Sequence, residues 1–305
     1  MKPIAEKLRL RRFLDFAQSS GRAKWGLTIV GFWTAMGLLA PVIAPYSPTA
    51  PDANALLQSP SFQHLLGTDG NGSDIFSRLI YAPRIDLGIA VVATVLAFFA
   101  GITIGGFTGY FSDRGGLFGH ASTVIMRVID VSLAFPVFVI ALALVAVLGQ
   151  NVSNVIFAVF SVGTPVFVWL TRSQVLGVRE RTFVEAARCS GNGEMRIAFR
   201  HVLPNSLAAS LTQISVILGF SILVTAGLSF VGAGVRVPTP EWGLMISEGS
   251  RTVISGQWWP AVFPGLALIS AVFGFSLVGD ALRSYLDPQQ RQMASRFDMV
   301  SDELA

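Results

Sequence analysis

Long stretches without a charged residue constrain this chain more than any other feature of its sequence. The hydrocarbon core of a bilayer, about 30 Å thick, needs about 20 apolar residues of helix to cross it. The 305 residues contain five longer uncharged runs, and in the third a Gly149-Gln150-Asn151 cluster predicts a turn between two helices. Six membrane spans are therefore predicted, within residues 25–51, 87–112, 131–171, 202–235 and 252–279.

The composition agrees with this prediction. Charged residues make up 13% of the chain, against about 25% in a typical soluble domain, and hydrophobic residues make up 52%. These values exclude an ordinary water-soluble enzyme and a disordered chain. One cysteine and three scattered histidines exclude a disulfide scaffold and a multi-cysteine metal site. We therefore predict an all-α polytopic protein with six transmembrane helices in the lipid bilayer.

Lysine and arginine residues predict the orientation of the spans. With both termini in the cytoplasm, 17 of them lie on the cytoplasmic side and four outside, and Arg127 is left at a helix end. The opposite orientation inverts this ratio. Because the basic residues follow the membrane topology, the net charge of +4 gives no reason to expect nucleic acid as a partner. A cleaved signal peptide is the competing interpretation of residues 1–44.

The sequence contains none of the common motifs for ATP hydrolysis, metalloprotease activity or serine hydrolase activity. A phosphate-binding loop needs G-x-x-x-x-G-K-[ST], but the last lysine is Lys24. The motifs H-E-x-x-H and G-x-S-x-G are also missing. Arg127 and Asp130 are the ionisable residues placed at the edge of a span, three positions apart. We expect them to form a structural ion pair near the cytoplasmic start of the third helix, and a proton relay is the alternative.

The segment 172–205, between the fourth and fifth spans, combines six arginines with a helical pattern. Good helix formers occupy residues 182–187, and Gly191 predicts the end of that helix. Residues 194–201 predict a second short helix, which Leu203-Pro204 should end. A loop that is merely positive on the inner side would explain the arginines but not the pattern. We therefore expect a helix–glycine–helix surface that contacts a cytoplasmic partner.

This segment resembles the EAA loop of ABC importer permeases. The motif letters match Glu185, Ala186 and Ala187, a glycine follows the last alanine by four residues, and an L-P pair lies downstream. In that family the loop forms the coupling helix, which docks on the ATP-binding subunit. The resemblance implies an ATPase-coupling loop made by Glu185, Ala186, Ala187, Gly191, Leu203 and Pro204.

Further motifs resemble the permeases of peptide, opine and nickel importers, and most closely the shorter subunit of a heterodimeric pair. The resemblance covers about residues 25–290. Three positions depart from the residues that are usual there, with Ser73 in place of Arg, Asp86 in place of Ser and Ser276 in place of Asn. The matching motifs include Leu66-Gly67-Thr68-Asp69, Met126-Arg127-Val128-Ile129-Asp130, Ala134-Phe135-Pro136, Pro238-Thr239-Pro240-Glu241-Trp242-Gly243 and Leu286-Asp287-Pro288.

The resemblance implies a type I ABC importer permease of the bacterial inner membrane, working by alternating access. ATP and Mg would bind to separate ATP-binding subunits, so this chain would be non-catalytic and would hold no cofactor or metal. A second permease would complete a heterodimer. A solute-binding protein would deliver a peptide or a related small polar solute to the outer segments 45–86 and 236–258. There Trp242, Trp258 and Trp259 would contact it or anchor the chain at the membrane surface.

Four parts are expected along the chain: a cytoplasmic tail (1–24), the first span with an outer segment (25–80), a permease core (81–281) and a second tail (282–305). The alternative function is a stand-alone secondary carrier or channel, which would predict a midplane ionisable site and inverted repeats. A membrane enzyme would need a catalytic cluster that the sequence does not show. The substrate stays open among peptides, opines, glutathione-like solutes and nickel.

Overall fold

The computed structural model describes residues 20–113 and 115–286, and within these ranges it is helical with no β-strand. Some sequence predictions lie outside the described residues. They concern the basic residues of the N-terminal tail as far as Arg12, as well as Arg114, the Asp287-Pro288 motif, Arg291 and Arg296. The helices are α1 (Gly21–Ile43), α2 (Ile75–Tyr110), α3 (Gly116–Ala134), α4 (Val137–Leu148), α5 (Val152–Val178), α6 (Thr182–Cys189), α7 (Ala208–Phe230), α8 (Trp242–Ser250) and α9 (Trp259–Leu286).

Six of these helices are long and apolar enough to cross a membrane, which confirms the predicted number of spans; they are α1, α2, α3, α5, α7 and α9. The third span begins earlier than predicted: it is α3, which starts at Gly116, whereas the uncharged run starts at residue 131. The shorter apolar helix α4 follows α3 after a break at Phe135-Pro136. Phe135 has an extended backbone (φ −92°, ψ 145°), as expected before a proline, whose ring disfavours the helical conformation of the preceding residue.

The predicted turn between α4 and α5 is confirmed. Gly149 has a φ of +93°, which residues other than glycine rarely adopt. The Asn151 side chain accepts a hydrogen bond from the Asn154 backbone N–H at 2.8 Å and so caps α5. Asn154 Nδ2 donates in turn to the Leu148 carbonyl at 2.7 Å. These side-chain bonds supply partners for backbone groups that the two helix ends leave unpaired.

The second span begins earlier than its uncharged run indicates. Helix α2 has 36 residues, about 54 Å at 1.5 Å per residue, so it extends well beyond a bilayer core of about 30 Å. Its N-cap is Asp74, whose Oδ2 accepts from the Ser77 N–H at 2.8 Å. The expected boundary at residues 80 and 81 therefore lies inside this helix. The projecting turns carry Arg78, Arg84 and Asp86, which is why hydropathy alone placed them in a loop.

Helix α2 packs along α5 through glycines. A Cβ atom on Gly105 would lie 2.6 Å from the Val168 carbonyl oxygen, and one on Gly109 would lie 2.9 Å from Val175 Cβ. Only glycine allows so close an approach of the two backbones, a common way of packing membrane helices. Helix α9 packs against α1 and α7, and α8 lies across α7 and α9. After the predicted orientation, we call the end with α8 the outer end and the end with α6 the inner end.

Candidate functional site

Helix α6 lies on the surface of the inner end. Its buried residue is Val184, which joins the apolar cluster formed with Val178 and Ile197. Glu185 and Ala186 are exposed. Ala187 packs against the same cluster and is partly buried. The helix is therefore fixed to the bundle on one face and presents the first two residues of the E-A-A motif on the other.

The predicted glycine turn ends this helix. Gly191 has a φ of +77°, and its N–H donates to the Arg188 carbonyl at 2.9 Å. Asn192 Nδ2 donates to the Ala187 carbonyl at 3.1 Å, so a side chain satisfies one of the last carbonyl groups of the helix. A Cβ on Gly191 would meet no atom within 4 Å. The turn thus needs glycine because of its backbone angle and not because of crowding.

The segment after the turn is one irregular helix, residues 194–206. It starts as an α-turn at Glu194–Arg196, continues as a π-helix at Ile197–Val202 and tightens to a 3₁₀ turn at Leu203–Ser206. The prediction that Leu203-Pro204 ends the helix is therefore wrong by two residues. Pro204 fits because it lies in the first turn of the 3₁₀ segment, where its missing N–H has no helical partner to lose. Leu203 is buried and Pro204 is exposed.

A charged tether joins the two halves of this surface to the inner end of α2. Arg188 Nε donates to Glu194 Oε1 at 3.2 Å, and the Tyr110 hydroxyl donates to Glu194 Oε2. The hydrogen bond with Tyr110, more than the nearby charge of Glu194, raises the pKa of Arg188. Tyr110 is fully buried at the last position of α2. The tether therefore connects the exposed helix α6 directly to a membrane span.

Two arginines of the segment 172–205 bind the same end of α2. Arg179 Nη1 donates to the carbonyls of Gly109 and Ser112, both at 2.9 Å, and Arg172 Nη2 donates to Ser112 Oγ at 3.1 Å. A cation at a helix C-terminus meets the negative end of the helix dipole. Half of the six arginines thus have structural partners. The others are exposed and form no ion pair within the described part of the chain; they are Arg181, Arg196 and Arg200.

A cavity of 510 Å³ opens beside the tether, between the end of α2, the start of α3 and the segment after Gly191. Two aromatic rings, Phe111 and Phe118, form its apolar wall, and their centroids are 5.0 Å apart. Met195, which is 47% exposed, lies at its edge. The cavity gives the inner surface an apolar recess next to the exposed face of α6.

The predicted ion pair does not form in this structure. Arg127 and Asp130 share helix α3, but no hydrogen bond or ion pair joins them to each other or to another described residue. Arg127 is exposed and Asp130 is partly buried, on a helix of which little is covered by the rest of the chain. They also lie in the second half of α3, not at the start of the third span, because that span begins at Gly116.

The outer end contains a second group of charged residues, of which Asp69, Asp74 and Arg78 are buried and His64 and Glu248 are partly buried. Arg78 Nη1 forms ion pairs with Asp69 and, at 3.3 Å, with Glu248 Oε2. His64 Nδ1 lies 2.9 Å from Asp74 Oδ1. Burial raises the pKa of Glu248, and the charge of Arg78 opposes that shift. Every one of these groups is bound within the chain itself.

The tryptophans expected at the outer surface are mostly internal. Trp242 is fully buried and its indole N–H donates to the Leu79 carbonyl at 3.2 Å. Trp259 is 9% exposed and donates to the Thr68 carbonyl at 3.2 Å. The expectation that these two contact a partner or anchor at the membrane surface is therefore wrong, because both fill the core of the outer end. Trp258 is 47% exposed and is therefore accessible to a partner or to the membrane surface.

The E-A-A helix and its turn are predictable from the sequence, but the residues that hold them in place are not. Tyr110 and Glu194 belong to the tether, Arg179 binds carbonyls at the end of α2, and no motif marks these three residues. The available signal was positional, since Tyr110 ends the apolar run of α2 and Glu194 begins the helix after Gly191. Their partnership requires the fold, because 84 residues separate the two.

Comparisons with known proteins agree with this architecture. Residues 101–292 match the family model "Binding-protein-dependent transport system inner membrane component". The dipeptide transport system permease protein DppC of Alkalihalophilus pseudofirmus is 38% identical over 87% of this chain and 85% of its own length. The glutathione transport system permease protein GsiD of Pectobacterium atrosepticum is 36% identical over 92% and 89%. DppC of Escherichia coli K12 is 39% identical over 93% and 94%.

A solved structure shares the fold. It is a chain of the inward-facing MetNI methionine ABC transporter, with a TM-score of 0.55 and 16% identity over 69% of this chain and 96% of that one. The curated relatives named above are transport system permeases, so the alternative of a stand-alone carrier or channel is wrong. The chain belongs to the family of binding-protein-dependent transport system inner membrane components, the permease subunits of ABC importers.

Proposed function

We propose that this permease moves a dipeptide or a similar short peptide across the inner membrane by alternating access. Support comes from relatives whose names refer to dipeptide, di/tripeptide and glutathione transport. ATP and Mg bind on separate ATP-binding subunits, and this chain contributes the pathway and the coupling without a cofactor of its own. In such an assembly the energy of hydrolysis reaches the permease as a movement of docked surfaces.

The exposed helix α6 is the surface on which the ATP-binding subunit docks. The observation that carries this proposal is the tether, because Arg188, Glu194 and Tyr110 link that helix to the end of α2. A displacement of α6 therefore pulls on a helix of 36 residues that reaches the outer end. Glu185 and Ala186 supply the contact face, and Gly191 and the buried Leu203 shape the segment behind it.

Two further partners are proposed. A second permease completes a heterodimer against spans whose outward faces this chain leaves uncovered, among them α3, of which few residues are buried. A solute-binding protein docks at the outer end. Large apolar side chains are exposed to solvent there, and such exposure is typical of a surface that another protein covers. They include Leu56 (54% exposed), Phe62 (104%), Leu65 (54%) and Ile254 (95%).

The proposal is tested by reconstitution. A tag on this chain isolates its complex, which is placed in liposomes with ATP and Mg inside and the solute-binding protein outside. Labelled dipeptide should accumulate, and a free amino acid supplied at the same concentration should not. Omission of ATP or of the binding protein should abolish the accumulation. Equal uptake of the two solutes would contradict the proposed substrate class, and uptake without ATP would contradict the proposed mechanism.

A further inference from the structure

Two carboxyl groups meet at the outer end, far from the coupling surface. Asp86 belongs to α2 and Glu241 directly precedes α8, and the two are 1% and 0% exposed. Glu241 Oε1 accepts from the Gly243 N–H at 2.9 Å and Oε2 from the Leu244 N–H at 2.6 Å. Asp86 Oδ2 accepts from the Trp242 N–H at 3.2 Å. Three successive amides at the start of α8 therefore end on these two side chains.

The fourth carboxyl oxygen of the pair has no donor within the described part of the chain. Asp86 Oδ1 is buried and receives no hydrogen bond from the described residues. The backbone bonds at the start of α8 place the Asp86 and Glu241 carboxyl groups within hydrogen-bonding reach of each other. Because an ionised carboxylate only accepts, a hydrogen bond between the two side chains needs a proton on one of them. Both oxygens of Glu241 already accept backbone N–H groups, so Asp86 is the better placed donor.

No cation neutralises the pair within residues 20–113 and 115–286. Arg78 on α2 is bound by Asp69 and Glu248, the acidic residue of α8. Helix α7 has no charged residue. The remaining charged groups on the elements around the pair are either exposed at the outer end, as are Arg84, Arg236 and Arg251, or lie at the inner ends of α1 and α9, as do Arg22, Lys24, Asp280 and Arg283.

The pair lies where α8 is held against three spans. The Trp242 ring meets Trp33 of α1 edge-on, with centroids 5.0 Å apart, and its indole binds the Leu79 carbonyl of α2. Gly243 lies against the backbone of Ala226 in α7. A small shift of the first turn of α8 would therefore disturb contacts with all three helices.

We infer that Asp86 and Glu241 hold one proton between them, and that this proton positions α8 on α2. Asp86 Oδ1–H donates to the Glu241 carboxylate, which caps the helix. Without the proton, two negative charges face each other in a buried site, and their repulsion opens the contact between α8 and α2. The pair is a positioning element and does not depend on which solute is carried.

Infrared spectroscopy of the purified complex tests this directly. At neutral pH the wild-type complex should show the C=O stretching band of one protonated carboxylic acid that is lost in Asp86→Asn, whose amide donates the same hydrogen bond without a titratable proton. Glu241→Gln should also lose the band, and it replaces Asp86→Asn if that variant does not assemble. Asp52→Asn, at an exposed acid of the same end, should leave the band unchanged. A band that persists in an assembled Asp86 or Glu241 variant would overturn the inference.

The pH dependence of stability gives a second readout. Above about pH 5 the unfolded chain has both carboxyl groups ionised, whereas the folded chain retains one proton. Stability should therefore fall as the pH rises through the range in which the pair ionises. The melting temperature of Asp86→Asn should lack this component, and Asp86→Ala, which offers Glu241 no donor, should melt below wild type at neutral pH. Identical pH profiles for wild type and an assembled Asp86→Asn would contradict the shared proton.

Discussion

The two ends of this permease use charged residues in opposite ways. At the outer end Asp69, Asp74 and Arg78 are almost completely buried and bound within the chain. At the inner end, Glu185 and three of the arginines of the segment 172–205 are exposed and form no ion pair with another described residue. Buried charges must be paired to be tolerated, whereas exposed charges are available to a partner. The outer end is therefore held together internally, whereas the exposed charges of the inner surface are available to the proposed ATP-binding subunit.

The largest effect on stability is expected at Arg78. Its replacement by alanine leaves Asp69 buried without its cation, which typically costs about 3–5 kcal/mol. The thermal unfolding of the purified complex should therefore shift strongly to lower temperature. Arg236→Ala, at an exposed position of the same end, should change the unfolding free energy by less than about 0.5 kcal/mol. Equal shifts for the two variants would break the contrast between buried and exposed charges.

A smaller effect is expected at the glycine turn. Gly191→Ala should cost about 1–2 kcal/mol because alanine resists a φ of +77°. The same change at Gly177, an exposed helical position with no atom near its Cβ, should be neutral or stabilising by about 0.5–1 kcal/mol. Because space around Gly191 is open, Gly191→Trp should destabilise the chain no more than Gly191→Ala. A much larger loss with tryptophan would show that crowding governs the turn.

The tether predicts a loss of about 1 kcal/mol in Tyr110→Phe, which removes the hydroxyl that binds Glu194. This variant should also lower the ATP hydrolysis that the binding protein stimulates, because α6 is then less firmly joined to α2. Tyr81→Phe provides the matched control, since the Tyr81 ring stacks near Arg84 and its hydroxyl has no described partner. Normal coupling in Tyr110→Phe would show that the tether does not transmit movement from α6 to α2.

The smallest effect on stability, with the largest effect on coupling, is expected at Glu185. Glu185→Arg changes an exposed side chain and should alter the unfolding free energy by less than about 0.5 kcal/mol. It should nevertheless abolish transport-coupled ATP hydrolysis, because it reverses a charge on the proposed docking face. Glu180→Arg makes the same change outside α6 and should retain coupling. Full coupling in the Glu185 variant would reject the assignment of this face.

The sequence predicted the features that depend on local pattern. Uncharged runs gave six spans, Gly149-Gln150-Asn151 gave the turn before α5, and Gly191 gave the end of α6. The features that it missed depend on tertiary contacts. Arg78, Arg84 and Asp86 made the first turns of α2 look like a loop, although two of the three are buried by packing against the outer segment and α8.

Distance along the chain explains the remaining failures. The bond between Asp86 and Trp242 spans 156 residues, and that between Tyr110 and Glu194 spans 84. No periodicity or motif reports such a partnership. The ion pair of Arg127 and Asp130 failed for the opposite reason, because a favourable spacing on one helix does not determine what else those side chains face.

The native Cys189 permits the most direct test of the claim that the inner surface is completed by an ATP-binding subunit. It is the chain's single cysteine, and it is exposed at the end of α6. Its reaction rate with a thiol reagent is measured in permease complexes with and without the ATP-binding subunits. A variant with Cys189→Ser and Ala53→Cys, at an exposed position of the outer end, serves as the control. We expect the subunits to slow the reaction of Cys189 and to leave that of the control unchanged; equal rates at Cys189 with and without the subunits would contradict the proposed docking.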